Sequence, residues 1–333
     1  MIGHRSPSFQ QLYAAIQPQL QQLLFTANPV FLSTSSAWGV MEAAIRNLVR
    51  PGRKLLCCMN GAFSDKWYDV ARSCGILADQ AQVEWGQAVS PEMVGEKLQA
   101  GGFDAVTLIH NETSTGTVSP VKEIARVMRD YPETLLIVDA VSSLSAAKIE
   151  MDALGLDVLL AGVQKALALP PGMSLFAASK RAFDRVQTTP NRGFYFDFME
   201  FLKNHEKNMT PSTPSVSHLF SLQSKLREIF EEGLDRRFER HQRMAELTRQ
   251  WARDRGFELF PRAGCESVTL TCVANNRKVD VAGWIQRLRE RHSCIIDGGY
   301  GKLKGITFRI AHMGDETSET IAKLLEWLDD TME

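Results

Sequence analysis

Two runs, Leu135-Leu136-Ile137-Val138-Asp139-Ala140 and Val158-Leu159-Leu160-Ala161-Gly162-Val163-Gln164-Lys165, decide the fold. Each is a short apolar run that delivers one ionisable residue near its C-terminal end: Asp139 in the first, Lys165 in the second. A strand covered on both faces is apolar at successive positions, not at every second one, and such strands belong to parallel sheets. In open α/β sheets ligands bind beyond the carboxyl ends of the strands. The pattern therefore aims an amine and a carboxylate at one cleft.

The same alternation extends to both sides of this pair. Further strands are predicted at Val30–Ser33, Leu55–Met59, Ala105–His110 and Leu175–Ala178. Helices are predicted at Ala37–Leu48, Phe63–Ser73, Pro91–Ala100, Val121–Arg129 and Lys180–Val186. Strands separated by helices imply an α/β fold, a mostly parallel central sheet sandwiched by helices. The stretch from Thr188 to Ser217, with Pro190, Pro211 and Pro214, reads as an extended active-site or interface segment, or as a surface linker. From His218 a long helical pattern passes through Arg236-Arg237-Phe238-Glu239-Arg240, a charge run expected to face solvent. After Gly256 strands are predicted at Ser267–Val273 and Ile306–Ala311, with helices at Val279–Arg289 and Ser318–Leu328. The expected organisation is a large domain over residues 1–230 and a smaller α+β C-terminal domain over 231–333.

The 333 residues suffice for a large core, and 44% hydrophobic with 23% charged content is ordinary for a globular protein. A formal net charge of −1 gives no reason to expect a nucleic acid or an anionic membrane as partner. No apolar stretch approaches the roughly 20 residues of a spanning helix. Met1-Ile2-Gly3-His4-Arg5-Ser6 has no apolar signal core, so a cytoplasmic location is expected. The six cysteines lack metal-ligand spacing, and Cys57 and Cys58 read as small core residues; no metal is expected.

An amine nucleophile and a buried carboxylate in one cleft suit pyridoxal 5'-phosphate. The lysine forms a Schiff base with it, and the aspartate pairs with the pyridinium nitrogen. Burying Asp139 after four apolar residues is costly without a cationic partner, which a pyridinium N–H supplies; capping the next helix is the plainer role. A lysine ending a strand commonly snorkels to solvent, whereas beside a cationic ring its pKa falls. Other polar features follow predicted strands. Thr34-Ser35-Ser36-Ala37-Trp38-Gly39 offers a helix N-terminus for a phosphate, although Ser36 serves equally well as an N-cap. In Asn60-Gly61-Ala62-Phe63 the phenyl ring can stack on a planar cofactor or fill the core. In His110-Asn111-Glu112-Thr113-Ser114-Thr115-Gly116, Thr113 can hydrogen-bond a ring hydroxyl, or the segment is a capped turn. Arg309, in Phe308-Arg309-Ile310-Ala311-His312-Met313-Gly314, can grip a carboxylate bidentately or form a structural ion pair.

Taken together these residues resemble the class V aminotransferases of PLP fold type I, in particular the alanine–glyoxylate/serine–pyruvate group. The resemblance runs from Gly3-His4-Arg5-Ser6 to Phe308-Arg309-Ile310. Its most specific pieces are Glu112-Thr113-Ser114-Thr115-Gly116, Val138-Asp139-Ala140-Val141-Ser142-Ser143-Leu144, and Gln164-Lys165 with Pro170-Pro171-Gly172. The resemblance implies that Lys165 is the Schiff-base lysine and Asp139 the pyridine-nitrogen partner. It puts Phe63 against the ring, Thr113 and Gln164 on the ring-hydroxyl and phosphate side, and Ser36, Ala37 and Trp38 in the phosphate loop. Thr210 and Thr213 match a segment that reaches the neighbouring subunit's cofactor phosphate, which implies a homodimer. Arg309 matches the residue that binds the substrate carboxylate. The implied activity is ping-pong transamination between alanine or serine and glyoxylate or pyruvate.

Two departures stand out. The phosphate loop reads Ser36-Ala37-Trp38-Gly39 where relatives are Gly-rich, and Trp38 is expected to add a stacking wall or narrow the pocket. Relatives carry an N-terminal arm before Gly3-His4-Arg5-Ser6, and its lack is expected to bear on activity and substrate choice more than on cofactor binding. Three rival readings are an aspartate aminotransferase, a cysteine desulfurase and a non-catalytic PLP-binding protein. Basic side chains in Gly299-Tyr300-Gly301-Lys302-Leu303-Lys304-Gly305 would favour the first. Gln164 stands where a desulfurase typically has histidine, and Cys265 and Cys294 are weak candidates for its nucleophile. The intact Lys165 and Asp139 argue against the third.

Overall fold

The computed structural model of the chain describes residues 2–332. The elements run α1 (Pro7–Leu24), β1 (Val30–Ser33), α2 (Ala37–Leu48), β2 (Lys54–Met59), α3 (Ala62–Ser73), β3 (Leu77–Gln82), α4 (Pro91–Gln99), β4 (Phe103–Ile109), β5 (Asn111–Glu112), β6 (Thr117–Val118), α5 (Val121–Met128) and β7 (Leu135–Asp139). They continue α6 (Met151–Leu154), β8 (Val158–Gly162), β9 (Ser174–Ala178), α7 (Lys180–Gln187), α8 (Phe198–His205), α9 (Val216–Glu232), α10 (Leu234–Asp254), β10 (Glu258–Leu259), β11 (Leu270–Ala274), α11 (Val281–His292), β12 (Thr307–Ala311) and α12 (Ser318–Thr331).

Seven strands form the central sheet in the order β1-β9-β8-β7-β4-β2-β3. The run from β8 to β3 is parallel. Only β9 opposes its neighbours, because it follows β8 with no intervening helix. Alternate residues of each strand feed opposite layers. Leu56, Val106, Leu136, Val138 and Leu159 pack with Phe9, Ile16 and Leu20 of α1 and Leu222 and Leu226 of α9. Leu55, Ala105, Ile137, Val158 and Leu160 pack on the other face with Ile45 of α2 and Trp67 of α3. Each fully buried side chain of this kind contributes roughly 1.5–3 kcal/mol, which is why these strands are apolar throughout. A second antiparallel sheet, β10-β11-β12, has its own core around Trp251, Phe257, Trp284 and Phe308.

Several expectations are corrected by the structure. Strand β3 and helix α1 are not among the predicted elements. β3, Leu-Ala-Asp-Gln-Ala-Gln, is an edge strand that buries only Ala81 and so lacks an apolar run. α1 starts with an N-cap from Ser6 and with Pro7 at its first turn, but its glutamines and Pro18 blur the apolar spacing. The Thr188–Ser217 segment is not extended throughout: Asp197 caps α8, which buries Phe198 and Phe201. The long helix is two, broken at Gly233, whose positive φ of 86° ends α9. The charge run does not simply face solvent. Arg237 is buried, with its guanidinium on Glu232 at 3.0 Å and on the Ala166 carbonyl at 3.1 Å.

Candidate active site

The carboxyl ends of β1, β2, β4, β7 and β8 open on one side of the sheet. Asp139 is the last residue of β7, and Lys165 follows β8 directly. Thr113 sits in the turn between β5 and β6, four residues beyond the end of β4. Phe63 lies in the first turn of α3, after β2, and Ser36, Ala37 and Trp38 start α2, after β1. Ser36, Ala37, Trp38, Phe63, Thr113, Asp139, Gln164 and Lys165 line one cavity of about 140 Å³. A larger cleft of about 920 Å³ shares Phe63, Thr113 and Lys165 with it and adds Arg309 from β12. Thr210 and Thr213 line neither cavity; the Thr210 hydroxyl donates to the Ser212 carbonyl at 2.8 Å.

Lys165 Nζ donates to Thr113 Oγ1 at 2.9 Å and lies 5.0 Å from the centroid of the Phe63 ring. The Thr113 hydroxyl donates in turn to Ser142 Oγ at 3.1 Å, and Ser142 donates to the Asn111 carbonyl at 2.8 Å. On the opposite side Arg309 Nη1 donates to the Thr113 carbonyl at 2.6 Å. Glu112 is fully buried behind these groups. Its carboxylate accepts from the backbone N–H of Ser64 at 3.0 Å and from the Ser114 hydroxyl at 2.6 Å, so it caps the start of α3 and fixes Phe63. Gly61 is obligatory there, because a Cβ would collide with the Glu112 side chain. Ser36 takes the N-cap position of α2 without making a side-chain cap bond, which leaves the first N–H groups of that helix without it.

Burial dominates the electrostatics. It pushes the Asp139 carboxyl from 3.8 up to about 7; the Val141 N–H, 2.6 Å away, and the charge of Lys165 offset only part of that rise. Burial also lowers the proton affinity of Lys165, against the pull of Asp139 and Glu112. His110, just beyond β4, is pushed down to about 4 by burial and is neutral at physiological pH, with Nδ1 2.8 Å from Ser143 Oγ. The cavity thus joins a buried carboxylate with a raised proton affinity to an amine whose proton affinity is lowered.

No sequence motif marks Asn111, Ser142, Tyr300 or Asp297 for a role. Asn111 and Ser142 flank Glu112-Thr113 and Asp139-Ala140-Val141, and Asn111 Oδ1 is buried without a partner beside the cavity. Tyr300 stacks on Phe63 with centroids 5.1 Å apart. The basic side chains of the 299–305 segment do not line the cleft; the Lys302 ammonium instead lies 3.9 Å from the Trp85 ring centroid.

The mostly parallel central sheet, with Lys165 and Asp139 at its carboxyl edge, belongs to the α/β fold of solved PLP-dependent aminotransferases. Residues 1–299 match the family described as Aminotransferase class-V. An uncharacterized aminotransferase of Methanocaldococcus jannaschii is 35% identical over 317 residues, covering 94% of this chain and 82% of that protein. The serine–glyoxylate aminotransferase of Arabidopsis thaliana is 30% identical over 319 residues, covering 94% and 80%. The crystal structure of an alanine–glyoxylate aminotransferase from Nostoc sp. superposes with a TM-score of 0.94 at 30% identity, covering all of this chain and 89% of that one. The chain belongs to the class-V aminotransferase family and is a pyridoxal-phosphate-dependent aminotransferase. Among the described residues no helix is long and apolar enough to cross a membrane.

Proposed function

We propose that the chain moves an amino group between a small L-amino acid, alanine or serine, and a 2-oxo acid, glyoxylate or pyruvate, with Lys165 and Asp139 as its catalytic residues. The observation that carries this reading is the convergence of those two side chains, with opposite shifts in proton affinity, on one cavity. The residues present fit pyridoxal phosphate. Asp139 is a buried carboxylate in need of a protonated ring nitrogen, and the start of α2 at Ser36, Ala37 and Trp38 presents N–H groups and a positive dipole end to a phosphate. Phe63 would cover the ring face, with Thr113 and Gln164 on its hydroxyl and phosphate side. When bound, the cofactor supplies an electron sink for the bond broken at the substrate's α-carbon.

Asp139, buried at the end of β7, would hold the proton at the ring nitrogen. Lys165 Nζ, its proton affinity lowered by burial, would anchor the cofactor and serve as the base that takes and returns the α-proton. Thr113 Oγ1 positions that amine. Arg309 binds the α-carboxylate of the substrate. Phe63, backed by Tyr300, excludes water from the reacting face. We assign Thr210 and Thr213 to the phosphate site of a second copy, which makes the enzyme a homodimer, and its location to the cytoplasm. We also divide the chain into a large domain, 1–230, and a small one, 231–333, on the separation of their cores.

The test is the absorption spectrum of the purified protein with pyridoxal phosphate, before and after L-alanine, L-serine or L-aspartate. A visible band near roughly 410–430 nm that moves to about 330 nm with alanine or serine is expected. A shift with aspartate alone overturns the substrate assignment. A band that no amino acid moves overturns the proposed transamination, and sulfide release from cysteine would replace it.

A further inference from the structure

Arg309 does not stand alone in the larger cleft. Its Nε donates to Asp297 Oδ1 at 3.0 Å and its Nη2 lies 2.8 Å from Asp297 Oδ2, a side-on bidentate pair. The two residues are also joined through the backbone, with Arg309 N–H on the Asp297 carbonyl at 2.7 Å and Asp297 N–H on the Arg309 carbonyl at 3.2 Å. The Gly299 N–H donates to Asp297 Oδ1 at 2.8 Å and holds the carboxylate in place. Arg309 keeps only 11% of its side-chain exposure, whereas Asp297 keeps 48% and faces the cleft. The remaining wall is mostly apolar, including Leu270, Ile295, Ile296 and Trp327; among the described residues its one other carboxylate, Glu316, accepts from the Thr320 hydroxyl at 2.6 Å and makes no ion pair with Arg309. Among the described residues the cations of this cleft are Lys165, Arg309 and Lys323, and Lys323 is already paired with Glu326 at 2.8 Å.

We infer that Asp297 is a specificity-determining residue: its fixed negative charge beside Arg309 excludes substrates that carry a second carboxylate. The cleft then selects amino acids and oxo acids whose side chain carries no second negative charge. The inference rests on the reading of Arg309 as the α-carboxylate anchor. The side-on edge of the guanidinium is taken by Asp297 and one Nη1 N–H by the Thr113 carbonyl, so one substrate carboxylate can use the N–H groups that remain on Nη1 and Nη2, and a second meets a like charge in a largely apolar space. Such an arrangement discriminates by repulsion, not by a better fit to the favoured substrate.

The experiment compares kcat/KM for L-alanine and L-aspartate, each with glyoxylate, in the holoenzyme and in Asp297→Asn, which keeps shape and removes charge. The wild type is expected to favour alanine. In Asp297→Asn the aspartate-to-alanine ratio is expected to rise about tenfold, chiefly through the KM for aspartate, as removing a nearby like charge would give. Asp297→Ser, smaller and also neutral, is expected to move the ratio in the same direction. A ratio that stays constant or falls in both variants overturns the inference, because a carboxylate that merely orients Arg309 would weaken both substrates alike. Arg309→Gln is measured alongside and is expected to raise the KM for both substrates. Unchanged KM values in that variant overturn the anchor reading itself, an outcome separable from failure of the Asp297 variants.

Discussion

Asp104 and Asp139 lie at opposite ends of neighbouring parallel strands, and their surroundings could hardly differ more. Asp104, at the start of β4, is fully buried and accepts from Arg50 at 2.7 Å and Arg53 at 2.9 Å, with Arg185 at 3.2 Å. Burial alone would raise its pKa, but the hydrogen bonds from Arg50 and Arg53 and the charge of Arg185 outweigh that and hold it below the ordinary range. Asp139, at the end of β7, has one backbone donor and a neighbouring lysine, and burial wins. One end of the sheet satisfies its charge and stabilises the fold. The other leaves a buried carboxyl without a matching cation, a site that a cationic partner would satisfy.

The sharpest way to break this contrast is to remove the amine. Lys165→Ala is expected to cut transamination by roughly 10³-fold or more and to abolish any borohydride-reducible protein–cofactor adduct. Steady-state rates and mass spectrometry after reduction check this. A surviving adduct would move the attachment to another residue.

At the opposite end, Asp104→Ala strips three arginines of a shared partner. It is expected to cost about 3–5 kcal/mol in denaturant unfolding, while the rate per folded molecule stays near that of the wild type. A loss of rate without loss of stability would contradict the division of labour between the two ends.

The smallest expected effect is also the most discriminating. The Asp139 carboxyl binds its proton more tightly in the folded chain, near 7, than the ordinary 3.8 of an exposed carboxyl. Stability from that proton is therefore fully present below about pH 4 and is lost as pH rises through about 7. Asp139→Asn, which cannot ionise, should raise the stability of the cofactor-free protein at about pH 8 by on the order of 2–4 kcal/mol and leave it nearly unchanged at about pH 4. Thermal melts at the two pH values measure it. The same change should slow catalysis in the holoenzyme, so that one carboxylate is a liability to the empty fold and an asset to the loaded one.

Much of this was legible in the residues. Leu135–Asp139 and Val158–Gly162 are apolar because both faces are covered, so strand, burial and the exit of Asp139 and Lys165 follow from one pattern. β3 was not legible, since an edge strand of Ala, Asp and Gln has no interior to match. Arg237 reads as a surface charge until Glu232, one helix away, is seen to turn back on it. Asp297 was equally hidden. Nothing in Cys294-Ile295-Ile296-Asp297 marks it, and its meaning comes only from the cross-strand bridge to Arg309. Long apolar runs carry their own instruction; a charge acquires its role from partners that only the tertiary fold supplies.

Thr113 touches both sides of the candidate site at once. Its carbonyl accepts from Arg309 on the small sheet, and its hydroxyl accepts from Lys165 on the large one. A shift of β12 against the central sheet would therefore strain both hydrogen bonds, and the spacing between the Arg309 guanidinium and the Lys165 amine is held through one residue. Thr113 acts as a ruler built into the chain.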